Sequence, residues 1–297
     1  MDEISEETYQ TKRITVPSAE KILRVPFSCL DYGFLTLVDY MGSDESIVEA
    51  ARVSYQKGTR KISDDKNLIR YLLRHKHTTP FEMVEIKFHA KMPIFVARQW
   101  VRHRTASINE ESLRYSEPCE EYYVPALENI CCQSKDNKQG RSEELPAELS
   151  RSFQDDVKKI SNQARMIRDK YSELGMAREL SRIVLPVNQY SQWYWKANLH
   201  NIFNFLRLRM DLHAQYEIRV YANAMAEIVK NVAPIAYDAF EDYILNAVNL
   251  TKLDQKTLRL IIQNGKMLEE ALNETMSTKK REREEFEKKL DSILSHL

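Results

Sequence analysis

Residues 99–116 read QWVRHRTASINEESLRYS. With Arg98 just ahead, this stretch gathers Arg98, Arg102, Arg104, Arg114 and His103 beside Asn109, Glu110, Glu111 and the serines Ser107, Ser112 and Ser116. Fixed cations interleaved with short polar side chains suit an anionic, planar ligand rich in hydrogen-bonding groups, such as a nucleotide. Guanidinium forks match phosphate oxygens two at a time, and their planes stack on flat rings. A solvated basic loop has the same composition, so arginine density alone does not separate the two.

Outside this cluster the chain is electrically balanced. Lys+Arg and Asp+Glu number 44 each in 297 residues, so the basic character is local, whereas a protein that coats DNA non-specifically carries a positive surplus. A hydrophobic content of 43% allows a sizeable core in one large domain or two small ones, and 30% charged residues indicate a soluble surface. Met1 to Glu7 is acidic and lacks the pattern of a secretory signal. No apolar run approaches the roughly 18 residues of a membrane span. The expectation is a cytoplasmic protein with neither a membrane nor a nucleic acid as partner. Cys29, Cys119, Cys131 and Cys132 form no CxxC pair, and no HExxH accompanies His75 and His77. The cysteines therefore read as free thiols, and no metal site is expected. The six glycines include no GxGxxG or GxxxxGK[ST] string, so a dinucleotide would have to be held by side chains rather than backbone amides.

Periodicity outlines the elements. Residues 1 to 30 are mixed and read as a peripheral N-terminal arm. Asp44 to Arg52 places Ile47, Val48 and Ala51 at helical spacing behind a Ser43 or Asp44 cap. Asp64 to His75 repeats the pattern with Leu68, Ile69, Leu72 and Leu73, and Thr79-Pro80 leaves His77 in the following loop. Val84 to Ala90 alternates, as a half-buried strand does. Pro93 can open a helix with Ile94, Ala97 and Val101 inward and Arg98 and Arg102 outward, although so short a run also fits a strand. Residues 117 to 150 read as a polar surface excursion with a short strand at Tyr122-Tyr123-Val124, followed by a long helix from Glu148 to Leu174.

A further long helix is predicted from about Gln192 to Val232. Plotted at about 100° per residue, it puts Leu199, Phe203, Leu206 and Met210 on a core stripe and His200, Asn204, Arg207 and Asp211 on a polar one. Arg209 sits at the edge of the apolar stripe, where an unpaired guanidinium is costly. A structural ion pair and a ligand contact both satisfy it. The tail from Gly265 to Leu297 repeats Phe286, Leu290, Ile293 and Leu297 at spacings of 4, 3 and 4. It reads as one amphipathic helix, too short to argue for a coiled coil.

The order Arg102-His103-Arg104, seven residues, then Ser112 resembles the motif of the flavin-dependent thymidylate synthases, the ThyX family. Further blocks carry the likeness from about Asp31 to about Tyr243: Ala51-Arg52-Val53-Ser54, His77-Thr78-Thr79-Pro80-Phe81-Glu82, Arg182-Ile183-Val184-Leu185-Pro186 and Asn204-Phe205-Leu206-Arg207-Leu208-Arg209. The resemblance implies an α/β fold of the α+β type, a central twisted sheet with flanking helices, unrelated to the Rossmann fold. It also implies a catalytic domain over residues 31–245 and a charged helical C-terminal extension over 246–297 without counterpart in compact members. The family is a homotetramer whose sites are shared between subunits.

That family makes dTMP from dUMP. It takes a methylene group from methylenetetrahydrofolate and reducing equivalents from NADPH through FAD, without a protein cysteine nucleophile. Carried onto this sequence, Arg102, His103 and Arg104 surround FAD, with Ser54, His77, Glu110, Asn198, His200 and Asn204 adding contacts. For dUMP the positions are Gln99, Arg102, Glu110, Glu111, Ser112, Arg114, Arg182 and Arg209. Arg209 is the catalytic one, stabilising negative charge on the uracil and favouring ionisation at N3. Ser112 has no evident His or Lys base beside it in sequence, so it reads as an orienting hydrogen bond rather than a nucleophile. His200 stands where the family often has arginine, which replaces a fixed charge by a pH-dependent one and implies weaker FAD affinity above neutral pH.

Three other readings remain at this level. A nucleic-acid-binding module would set Arg102, Arg104 and Arg114 on phosphates with Trp100 and Tyr115 stacking on bases; zero net charge and the adjacent glutamates oppose it. Pro118-Cys119 superficially matches the nucleophile of the cysteine-dependent thymidylate synthases, but Glu120 follows where that family has histidine. A non-catalytic flavoprotein relative would share the whole pattern.

Overall fold

Strict alternation of inward and outward side chains builds the centre of the protein. In a computed structural model describing residues 13–53, 65–115, 117, 119–135, 140–264, 267–277 and 280–294, seven strands are seen among the described residues. They are β1 (Pro26–Cys29), β2 (Gly33–Met41), β3 (Glu85–Pro93), β4 (Ser107–Glu110), β5 (Cys131–Gln133), β6 (Arg141–Glu144) and β7 (Tyr190–Asn198). β5 and β6 form a separate hairpin, and the other five make one sheet in the order β1-β2-β3-β7-β4. Every pairing in that sheet is antiparallel, unlike the parallel sheet of a Rossmann domain.

The helices α1 (Pro17–Ile22), α2 (Asp44–Arg52), α3 (Asp65–Arg74), α4 (Ile94–Trp100), α5 (Ala147–Glu173), α6 (Arg178–Ser181), α7 (Leu199–Arg209), α8 (Tyr216–Val232) and α9 (Pro234–Phe240) accompany the sheet. The chain divides into two compact units, Met1–Ile244 and Leu245–Leu297. Within the segment expected as an N-terminal arm, α1 forms and β1 becomes an edge strand of the sheet.

One sheet face is the core. Ile86, Phe88 and Ala90 on β3 stand opposite Ala197, Trp195 and Trp193 on β7, and all six are buried. Trp100 at the end of α4 plugs this face. Its ring lies 5.5 Å from Trp193, 5.7 Å from Trp195, 5.0 Å from Phe205 on α7 and 6.0 Å from Tyr221 on α8. Removing a buried Trp costs about 3–5 kcal/mol, so this knot anchors the ends of α4 and α7, where the arginines of the motif and Arg209 emerge. The opposite face, carrying Lys87, His89 and Lys91 beside Lys196, Tyr194 and Gln192, stays partly open.

Several expectations require correction. The predicted helix from Gln192 to Val232 is a strand, a helix and a second helix. Residues 190–198 alternate in burial and join the sheet as β7, a period of two that a plot at helical spacing hides. Asn198 then caps α7, its side chain accepting from the Asn201 N–H at 3.0 Å, and α7 ends before the exposed Asp211-Leu212-His213. Val96, Ala97 and Trp100 form the inner face of α4, while Val101 lies beyond its last residue and is 45% exposed. Tyr122-Tyr123-Val124 contributes a single bridge, Tyr122 to Gln189, rather than a strand.

In the second unit the tail expected as one helix is broken. α10 (Lys252–Asn264), α11 (Leu268–Met276) and α12 (Lys280–Leu294) fold so that Leu272, Met276 and Phe286 share a core with Leu253, Leu258 and Leu268. One continuous helix would leave that apolar surface in water. Asp254 accepts from Lys289 at 2.5 Å across this unit. No helix among the described residues is long and apolar enough to cross a membrane.

Candidate functional site

The turn after α4 and the end of α7 enclose a cleft of about 450 Å³ lined by Arg102, His103, Arg104, Thr105, Trp195, Asn201, Asn204, Leu208 and Arg209. Trp100 and Phe205 hold the two segments together, and the His103 ring packs edge-on against Phe205 at 4.8 Å. Arg209 bridges the cleft: its Nε donates to His103 Nε2 at 3.0 Å, and a terminal nitrogen donates to the Gln99 carbonyl at 3.3 Å. Gln99 is itself tied through its side chain to Gln215, at the start of α8.

The electrostatics of this cleft are one-sided. Burial, reinforced by the charge of Arg209, lowers the pKa of His103 from 6.5 to about 4, so the imidazole is neutral and accepts. Burial also lowers the pKa of Arg209 below the usual guanidinium value. Among the described residues, Arg102, Arg104 and Arg209 have no carboxylate partner, and no acidic side chain lines the cleft. Three guanidiniums without counter-ions among the described residues, with the Asn201 and Asn204 amides beside them, form a donor set suited to a polyanion. A diphosphate-bearing cofactor fits that chemistry.

The remaining predicted residues are distributed around it. Asn198 uses its Oδ1 to cap α7 and to accept from Asn201 Nδ2 at 2.7 Å. His200 is half-exposed in the first turn of α7. Glu110 is the last residue of β4, paired with Trp193 of β7, and Glu111 follows it. Ser191 Oγ donates to Glu110 Oε1 at 2.6 Å, and Gln192 Nε2 to Glu111 Oε2 at 3.0 Å. Glu111 lines a second cleft, of about 350 Å³, with His89, Asn109, Gln192, Trp193 and Tyr194. Ser112 Oγ accepts from the Arg114 N–H at 3.3 Å within a turn.

The Arg114 guanidinium lies 3.6 Å from Glu179 of α6, and Arg182 is the C-cap of that same short helix. His77 is exposed in the loop after α3, its ring 6.2 Å from Tyr71. Neither His77, Arg114 nor Arg182 lines the arginine cleft. Ser54 lies outside the described residues. Sequence reasoning missed Asn201, Ser191 and Gln192; recognising residues 190–198 as a strand would have put Gln192 beside β4. No group of three or more His, Cys, Asp or Glu side chains among the described residues could hold a metal ion.

The antiparallel α/β scaffold carries a side-chain-built arginine cleft whose donor chemistry suits a nucleotide. Residues 36–235 match a family model described as thymidylate synthase complementing protein. The flavin-dependent thymidylate synthase of Rickettsia conorii is 50% identical over 294 residues, spanning 94% of this chain and 98% of that one. The enzyme of the same name from Ehrlichia ruminantium (strain Gardel) is 53% identical over 252 residues, 85% of each chain. Among solved structures, a UMP/dUMP methylase PolB from Streptomyces cacaoi bound with 5-Br UMP superposes with a TM-score of 0.66 at 32% identity, covering 72% of this chain and 95% of that one. The chain belongs to the flavin-dependent thymidylate synthase family.

Proposed function

We propose that the protein converts dUMP to dTMP, with methylenetetrahydrofolate as carbon donor and NADPH as reductant, through FAD held in the arginine cleft. The observation that carries this reading is the set of three guanidiniums, Arg102, Arg104 and Arg209, around one cleft without a carboxylate partner among the described residues. FAD, when bound, supplies the redox chemistry that passes reducing equivalents to the transferred carbon.

The chain's own residues bind, orient and polarise. Arg102 and Arg104 take phosphate oxygens, with Asn198, Asn204, His200, Glu110, His77 and Ser54 as further FAD contacts. Arg114 and Arg182, joined through α6, take the dUMP phosphate, while Gln99, Glu111 and Ser112 hold base and sugar. C5 of uracil is a weak nucleophile, and a fixed cation beside N3 stabilises the negative charge that makes C5 reactive. Arg209 fills that role because its hydrogen bonds to His103 and the Gln99 carbonyl fix it in place before substrate arrives.

The scatter of His77, Arg114 and Arg182 outside the arginine cleft of one chain is consistent with a homotetramer whose sites combine residues of several subunits. Residues 31–245 form the catalytic domain in this reading, and 246–297 an extension.

The test is tritium release from dUMP labelled at C5, with methylenetetrahydrofolate and NADPH, with and without added FAD. Release that requires FAD supports the flavin route. A folded, flavin-loaded protein that releases none overturns it.

A further inference from the structure

On the partly open face of the sheet, a chain of hydrogen bonds ends on Glu111. His89 on β3 and Tyr194 on β7 are register partners, and their rings stack at 4.9 Å with 21° between planes. Phe34 of β2 meets the same imidazole edge-on at 5.0 Å. Clamped in this way, His89 places Nε2 at 3.0 Å from Gln192 Oε1. Gln192 Nε2 donates onward to Glu111 Oε2 at 3.0 Å. A main-chain bond runs alongside, the Glu111 N–H donating to the Gln192 carbonyl at 2.9 Å.

The chemistry fixes the direction of this relay. A carboxylate only accepts, so Gln192 turns its NH₂ to Glu111 and its carbonyl oxygen to His89. His89 Nε2 must then carry the hydrogen. Glu111 Oε2 is thereby committed to the protein, and Oε1 is left as its second acceptor. Within the function proposed above, dUMP offers few donors to such an oxygen. Its phosphate repels a carboxylate, and its N3 is the position that Arg209 favours in ionised form. The donor that remains is the 3′-hydroxyl of the sugar.

We infer that His89 is a positioning residue for substrate, acting through Gln192 to hold Glu111 so that Oε1 accepts from the 3′-hydroxyl of dUMP. The inference rests on the dUMP reading and adds to it both the group that Glu111 reads and the side chains that aim it.

The experiment is a titration of the FAD-loaded protein with dUMP and with its 3′-deoxy analogue, followed by the flavin absorbance, in parallel with steady-state rates. His89→Phe keeps an aromatic ring for Tyr194 and Phe34 but loses the donor, and His89→Gln keeps a donor but loses the ring. His89→Phe is expected to raise the Kd for dUMP roughly tenfold, the usual scale for a lost hydrogen bond in a charge-assisted chain. Turnover at saturating dUMP should stay within about twofold of wild type, because the contact serves binding. His89→Gln should restore most of the affinity, an order that a purely packing role would reverse. In a Glu111→Leu background, His89→Phe should add nothing, and dUMP and its 3′-deoxy analogue should bind alike.

Wild-type affinity in His89→Phe overturns the inference, as does an undiminished His89→Phe effect in the Glu111→Leu background. So does a preference for dUMP over the 3′-deoxy analogue that survives Glu111→Leu. Gln192→Met breaks the same relay and takes the place of His89→Phe if that variant does not fold. Wild-type holoprotein that binds no dUMP overturns the functional reading itself, before any variant is compared.

Discussion

Arg209 and His103 form a donor–acceptor pair across the arginine cleft, Nε to Nε2 at 3.0 Å. The guanidinium can only donate, so His103 Nε2 bears a lone pair and the imidazole is neutral with its hydrogen on Nδ1. A proton on Nε2 would break the bond and set two cations against each other.

A stability trend with pH follows. Burial first, and the charge of Arg209 second, bring the His103 pKa down from 6.5 to about 4. Between those values an unfolded chain takes up a proton that the folded protein refuses. The contribution of His103 to stability is therefore complete above about pH 6.5 and is lost as pH falls through about 4. Thermal unfolding from pH 7 down to pH 4.5 should show a smaller loss of Tm in His103→Gln, which cannot charge, than in the wild-type protein. Parallel slopes would mean that His103 titrates normally.

Arg209 should not tolerate the replacement closest in charge. Its Nε and a terminal nitrogen reach His103 and the Gln99 carbonyl together, a fork that lysine lacks. In the proposed role, Arg209→Lys should lower kcat by about a hundredfold or more, the scale for a misplaced group that stabilises developing charge. FAD affinity should change far less, since Arg102 and Arg104 remain. Equal losses in both would make Arg209 a cofactor-binding residue only.

The parts of the fold that could be read from sequence were those with one clear period. β3 alternates cleanly, and α2, α3 and α5 show apolar stripes, so the helices fall within a residue of their expected bounds, while β3 runs past its expected end at Ala90 to Pro93. β7 was hidden because its residues Trp193, Trp195 and Ala197 continue into a helix whose stripe starts at Leu199, and one helical plot absorbed both. That error also concealed Gln192 as a neighbour of Glu111. The resemblance assigns Arg102, His103, Arg104 and Asn204 to FAD and Arg209 to dUMP; in the structure all five line one cleft. What no periodicity could show is that Arg209 is held by His103. That contact depends on Trp100 and Phe205 closing α4 against α7, a relation between residues about 100 positions apart.

His200 occupies the first turn of α7, half-exposed. In the proposed role as an FAD contact, His200→Ala should weaken FAD affinity several-fold, measured by fluorescence quenching. An unchanged affinity would remove His200 from the cofactor contacts.

The excursion between β4 and α5 is tied down by a buried charge. Arg141 of β6 donates to both carboxylate oxygens of Glu217 in the first turn of α8, at 2.5 and 2.6 Å, and Tyr123 adds its hydroxyl at 3.1 Å. Glu217 is only 4% exposed. Arg141→Met would strand that carboxylate and should cost about 3–5 kcal/mol in urea unfolding. Adding Glu217→Gln should recover much of the loss. A single-variant cost under about 1 kcal/mol would place the pair in the class of solvent-screened surface bridges.

Cys119 tests the rival route to thymidylate. A cysteine nucleophile must reach its thiolate near neutral pH, yet burial pushes this thiol up to about 11. Its Sγ–H is also engaged, donating to the Tyr190 carbonyl at 2.9 Å where the chain enters β7. Cys119→Ser preserves a donor for that carbonyl and should keep turnover within about twofold of wild type, since no covalent step depends on it. Cys119→Ala should lose some stability through the unpaired carbonyl but remain active. Abolished tritium release in both variants, with the fold and bound flavin intact, would transfer the chemistry from the arginine cleft to this sulfur.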